Sequence, residues 1–171
     1  EVVDNAYGVT LITPRVESLV VRRHARLGDE VAAGAALVSL SSVEVAEAQG
    51  ELRIAVQEWQ RVQSLGKEAV SGRRYTEAAV AVEQARAKAR AYGIAASVSG
   101  SANGEYTLFA PHAGRLTEDD FIIGQRIEPG FTLFRLVDES TVWIDATLPA
   151  EIARRVVVGK DATVVAAGVR L

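Results

Sequence analysis

Two imidazoles, His24 and His112, are all that this 171-residue chain offers for acid–base or nitrogen-ligand chemistry near neutral pH. His112 lies a few residues before Glu118, Asp119 and Asp120, a set of nitrogen and oxygen donors that could take zinc or cobalt. Their spacing matches no metal motif, so His112 stands as a weak candidate ligand, with a solvated turn residue as the default. His24, set among Arg22, Arg23 and Arg26, has less to recommend it. The chain contains no Cys and no Met, which removes thiolate nucleophiles, disulfides, cysteine zinc sites and soft Cu(I) or Ag(I) sites together. Its serines lack a Gly-x-Ser-x-Gly setting, and its carboxylates are scattered over helix faces and turns. No catalytic residue and no cofactor is assigned, and the chain is read as a non-enzyme.

The elements that would position any site are organised by a repeat. Gly28, Val31, Gly34, Leu37 and Leu40 return 96 positions later as Gly124, Ile127, Gly130, Leu133 and Leu136. Each copy supplies a turn glycine, a short alternating strand, a second turn glycine and another strand, which is half of a small β-sandwich. Neither half can bury its apolar face alone, so the two must fold onto one another. Whatever lies between them must leave and re-enter the sandwich at one place. Tyr7, Val9 and Leu11 alternate as an earlier half-buried strand, Val16 to Val21 continue as a second, and Tyr106, Leu108 and Ala110 restart the pattern after the insertion.

The insertion is helical. Val45, Ala48, Leu52, Ala55, Trp59 and Val62 are spaced 3, 4, 3, 4 and 3, and Tyr75, Ala78, Val82, Ala85, Ala89 and Tyr92 repeat that spacing. The first seam predicts a helix over 43–66, capped by Ser41 or Ser42 with Glu44 and Glu47 near its positive end, and ended by Gly66. Gly93 ends the second. Two equal seams joined by a short turn predict an antiparallel hairpin with arms of about 30–36 Å. Residues 95–104 read as a flexible return loop. Past Ser140, a strand begins at Val142, a short helical signal runs from Ala150 to Val156, and Ala162–Val165 reads as another strand.

With 49% hydrophobic and 24% charged residues the chain is long enough for a sizeable core, and a net charge of −3 with interspersed signs gives no basic face for nucleic acid. No apolar run approaches the ~20 residues that span a bilayer, and the amino end has neither the charged nor the apolar region of a signal sequence. The first residue is not Met and the last lie in a strand pattern, so the chain is read as a piece of a longer protein.

The glycine–hydrophobe half-sandwich resembles lipoyl and biotinyl carrier domains, in which a hairpin lysine between the halves bears the cofactor. Here that place is taken by residues 41–105, whose lysines, Lys67 and Lys88, lack the Asp-Lys-Ala or Met-Lys-Met setting of a modified lysine. The scaffold is kept and the carrier chemistry is not. A closer resemblance rests on the split sandwich with its coiled-coil insertion, followed by Leu108-Phe-Ala-Pro-His-Ala-Gly114, Gly124-Gln-Arg-Ile-Glu-Pro-Gly130 and Leu136-Val-Asp-Glu-Ser-Thr-Val-Trp-Ile144. These resemble the periplasmic adaptor subunits, or membrane fusion proteins, of the HlyD-like kind, and most of all those of heavy-metal resistance-nodulation-division efflux systems.

That resemblance implies a mainly β chain with an α-helical hairpin: a lipoyl-like barrel-sandwich hybrid over 14–42 and 105–140, a hairpin and return loop over 43–104, and part of a β-barrel built from 1–13 and 141–171 that needs further strands. It implies a periplasmic adaptor, attached to the inner membrane in the full-length protein, that links an inner-membrane pump to an outer-membrane channel and associates into a ring, with divalent heavy-metal cations as cargo. An adaptor of a drug or ABC-type exporter, or a lipoyl-type carrier scaffold, are the alternatives. In many such adaptors the hairpin tip carries an Arg, a Leu and a Ser that dock on the channel. Arg61, Leu65 and Ser71 occupy similar places, although one spacer residue is missing between Leu65 and Ser71. A helix end at Leu65 and an N-cap at Ser71 would account for two of the three without a partner.

Overall fold

The computed structural model describes the chain apart from residues 1, 5–7, 67–68, 95–101, 141, 145–146, 154–155, 160–162, 164, 167–168 and 171. In chain order its elements are β1 (Val2–Asp4), β2 (Val9–Ile12), β3 (Ser18–Arg23), β4 (Glu30–Val31), β5 (Ala36–Ser41), α1 (Val43–Leu65), α2 (Gly72–Ala91), β6 (Glu105–Phe109), β7 (Gly114–Glu118), β8 (Arg126–Ile127), β9 (Phe134–Val137), β10 (Val142–Ile144), α3 (Ala150–Ala153), β11 (Val165–Ala166) and β12 (Val169–Arg170). The chain divides into two compact units, Asp4–Thr141 and Glu1–Val3 with Val142–Leu171. In the smaller unit β1 pairs with β10, and β11 pairs antiparallel with β12.

The larger unit is a sandwich of two four-stranded antiparallel sheets, ordered β2-β9-β7-β4 and β6-β5-β3-β8. The two orders are the same strand sequence read through the 96-residue shift: β2 corresponds to β6, β9 to β5, β7 to β3 and β4 to β8. The hydrogen bonds obey the shift as well. Gly28 N–H donates to the Leu116 carbonyl at 2.8 Å while Gly124 N–H donates to Val20 at 2.8 Å, and Gly34 N–H donates to Ala110 at 2.8 Å while Gly130 N–H donates to Pro14 at 3.0 Å. Each half reaches across to the other, the reciprocity of a two-fold axis within one chain. A register shift falls at Val20/Arg22 in one sheet and at the corresponding Leu116/Glu118 in the other.

Leu37, Leu40, Leu133 and Leu136 are fully buried, with Val20, Leu116 and Ile127 beside them. Phe121 meets Phe134 edge-on at 5.1 Å between ring centres and takes the Arg23 guanidinium over its face at 4.1 Å. The repeat glycines sit in turns at φ +87° (Gly28), +79° (Gly34), +87° (Gly124) and +84° (Gly130), with open space where a side chain would go. A β-branched residue there is strained by backbone alone. Gly34→Val or Gly130→Val is expected to lower the unfolding free energy by about 1–3 kcal/mol, read by urea denaturation, and an unchanged midpoint would remove the turns' requirement for glycine.

The segment expected as one strand over 1–13 divides. Val2–Asp4 pairs with β10, but β2 pairs with β9 along its whole length and completes a sandwich sheet rather than joining residues 141–171. Its phase also differs from the expected alternation: Leu11 is 52% exposed while Ile12 is buried, and Tyr7 lies outside the described residues. The reason is the same symmetry. Thr10, Ile12 and Pro14 stand in the places of Tyr106, Leu108 and Ala110, which point to the core in the other half.

Between β5 and β6 stands the hairpin. All twelve seam positions are buried or half-buried, with Val45, Leu52, Val62 and Ala89 wholly so. At 23 and 20 residues, α1 and α2 are about 35 and 30 Å long. Small alanines let the helices approach, and Trp59 meets Tyr75 edge-on, 5.1 Å between centres, where the gap widens. Ser42 occupies the N-cap of α1, yet its side chain makes no capping bond; the position is held by its N–H, which donates to the Gly104 carbonyl at 3.0 Å.

Candidate functional site: the hairpin tip

The tip is built by the helix ends. At Gly66, φ +78° turns the chain out of α1, and Ser71 opens α2 by accepting the Arg74 N–H on its hydroxyl at 3.3 Å. Val70 is buried between them on Val62 and Ala78, so the turn is pinned to the seam from inside. Lys67 and Glu68 lie outside the described residues.

Of the three expected tip residues, Arg61 and Leu65 lie on the last turns of α1 and Ser71 at the start of α2. Leu65 is 51% exposed. A leucine at a helix end with half its surface in water is available to fill a partner's groove. Arg61 is bound to Glu58 one turn back, N to O 2.7 Å, and Glu58 also receives Arg74 from the facing helix at 2.8 Å. Glu58 thus bridges two arginines, and the hydrogen bond from Arg74, followed by the charges of Arg61 and Arg74, holds its carboxyl below the usual carboxylate range. Sequence reading missed Glu58. The signal was present in its i,i+3 spacing to Arg61, but the Arg74 half of the bridge needed the facing helix.

The other candidates are engaged elsewhere. His112 Nδ1–H donates to the Ala113 carbonyl at 2.8 Å, and in the neutral ring Nε2 accepts the Thr10 hydroxyl at 2.9 Å, so both nitrogens have partners on the sandwich. Asp119 is spent on Arg23 and on the Leu27 N–H. His24 Nε2 meets the Ser39 hydroxyl at 2.8 Å. Among the described residues no three His, Asp or Glu side chains converge as a metal would need. Lys88 bridges the two helices to Glu51 at 2.7 Å, and that hydrogen bond raises its pKa.

The unit that carries this tip closes at Gly8 and Asp138, where the Asp138 N–H donates to the Gly8 carbonyl at 2.9 Å. The model of the CzcB-like barrel-sandwich hybrid domain matches residues 8–138. The chain belongs to that family. The boundaries of the CzcB-like domain are therefore the two residues that close the sandwich. The nickel-cobalt-cadmium resistance protein NccB of Alcaligenes xylosoxydans xylosoxydans is 31% identical over 92% of the chain, and the nickel and cobalt resistance protein CnrB of Cupriavidus metallidurans is 32% identical over 92%. The chain spans 42% of the length of each of these two relatives. The crystal structure of ZneB from Cupriavidus metallidurans shares the fold, with a TM-score of 0.54 at 21% identity, over 82% of this chain and 65% of that one.

Proposed function

We propose that this chain is the sandwich and hairpin portion of a periplasmic adaptor that joins an inner-membrane efflux pump to an outer-membrane channel in a tripartite exporter of divalent heavy-metal cations. The observation that carries the reading is a CzcB-like sandwich that projects a two-helix arm some 30–35 Å long, ending in an exposed leucine flanked by paired arginines. Such an arm is shaped to reach a second protein. Arg61, Leu65 and Ser71 would meet the channel, Leu65 by burial and the polar pair by hydrogen bonds to helix ends or carboxylates. Self-association into a ring would bring several tips to one channel, and the membrane attachment would belong to the full-length protein. The relatives named for nickel, cobalt and cadmium resistance support this choice of cargo.

The test is growth of a strain deleted for the full-length gene on zinc, cobalt, cadmium, nickel and copper salts and on a panel of organic drugs. Sensitivity confined to divalent metals, restored by the intact gene, is the expected result. Drug sensitivity instead would move the adaptor to another class of exporter, and growth like the parent on every plate would reject the export role.

A further inference from the structure

We infer that the hairpin is clamped to the sandwich through both of its helices, so that the two turn as one lever, and that Gln49 and Arg15 hold the joint. A hairpin that leaves and re-enters a sandwich by two single passages of chain is free to swing about them. Here three features remove that freedom.

The first is Gln49, in the second turn of α1. It is 7% exposed. Its Oε1 accepts the Gly104 N–H at 3.1 Å and its Nε2 donates to the Glu105 carbonyl at 3.0 Å, so one side chain grips both backbone groups at the start of β6. Gln49 lies beside the seam residue Ala48, and a buried amide there carries a cost, absent for an apolar residue, unless its polar groups are satisfied. Gln49 is explained by the backbone it holds. A swing of α1 would strand its amide and two peptide groups away from water.

The second is Arg15, from the loop that precedes β3. Its Nη1 donates to the Ala91 carbonyl at 2.9 Å and to Arg90 at 3.3 Å. Both are last-turn carbonyls of α2, that of Arg90 also accepting the Gly93 N–H at 3.0 Å, and a cation there meets the negative end of the helix dipole. The third is apolar. Val45, Tyr92 and Ile94 pack on the sandwich core, and Ile94 also packs on Leu52, Ala85 and Ala89 of the seam. Anchors on two different helices resist bending and twisting together. At the symmetry-related passage the same backbone bond recurs, Asp138 N–H to Gly8, so the amide grip is an addition made by the inserted helix.

The chain has no cysteine, so two can be introduced without background. Spin labels at Gln63→Cys, exposed near the tip, and Glu128→Cys, exposed in the turn before β9, report the angle of the arm through their distance distribution by double electron–electron resonance. The expected result is one narrow peak for the otherwise native chain. Gln49→Leu and Arg15→Ala are each expected to broaden it, and together to roughly double its width, while far-ultraviolet circular dichroism stays unchanged. A broad distribution without those substitutions would overturn the clamp, as would widths that the substitutions leave unaltered. Arg15 is an exposed side chain, and Arg15→Ala decides alone where Gln49→Leu does not fold.

Discussion

Gly104→Val is expected to destabilise the sandwich and hairpin by about 3–5 kcal/mol, more than any other glycine replacement among the described residues. Two effects meet at this position. Its φ is +77°, a region that β-branched residues reach only under strain. A side chain would also run into the Ser42 carbonyl oxygen and stand 3.2 Å from the Ala46 Cβ. Relief would require moving the strand away from α1, which breaks the Ser42–Gly104 backbone bond and the grip of Gln49. Two other glycines separate the effects. Gly34 has the positive φ and open space, so Gly34→Val reads strain alone. Gly114 has no positive φ, but a Cβ there would collide with the Val137 carbonyl oxygen, so Gly114→Val reads the collision alone. Urea denaturation followed by circular dichroism should place Gly104→Val below both, and a loss at Gly104 no greater than at Gly34 would show that the root yields easily.

Under the proposed adaptor role, the double substitution Arg61→Asp with Leu65→Asp in the full-length protein is expected to abolish metal resistance while leaving the fold intact. Neither residue supports the core: Leu65 is half in water, and the Arg61 side chain is 65% exposed. Glu58 keeps Arg74 when Arg61 is gone, so the facing helices remain bridged. At a docking surface, removal of a buried leucine and reversal of an arginine each weaken binding by about 1–3 kcal/mol, which together is at least a tenfold loss of affinity. The measurement pairs growth on metal salts with cross-linking of the full-length protein to the proposed outer-membrane channel, against melting of the purified chain. Resistance equal to the parent would rule out docking through these two residues. A fall in melting temperature as large as that of Val62→Asp, which charges a fully buried seam position, would show that they serve the fold instead. Ser71→Ala distinguishes the capping role, because it should cost about 1 kcal/mol at the start of α2 and affect docking only in proportion.

What was legible in the amino-acid order was periodic. The five glycine and hydrophobe positions repeated at a fixed interval, and the two seams with one spacing, could be read because neighbours along the chain share a face of the same strand or helix. From these came the split sandwich and the antiparallel hairpin. The repeat extends further: Gly8 and Gly104 are also 96 apart, and the shift carried to them sets the phase of β2 and puts it in the sandwich. Other features required residues distant in sequence to meet. The Gln49 side chain is an ordinary helix residue until Gly104 and Glu105 close over it, Glu58 is one half of an i,i+3 pair until α2 brings Arg74, and His112 is a free imidazole until Thr10 arrives from another strand. Periodicity states which face of an element is buried. Which polar groups are trapped together on burial, and so must bond to one another, follows from the closure of the sheets and of the hairpin upon them.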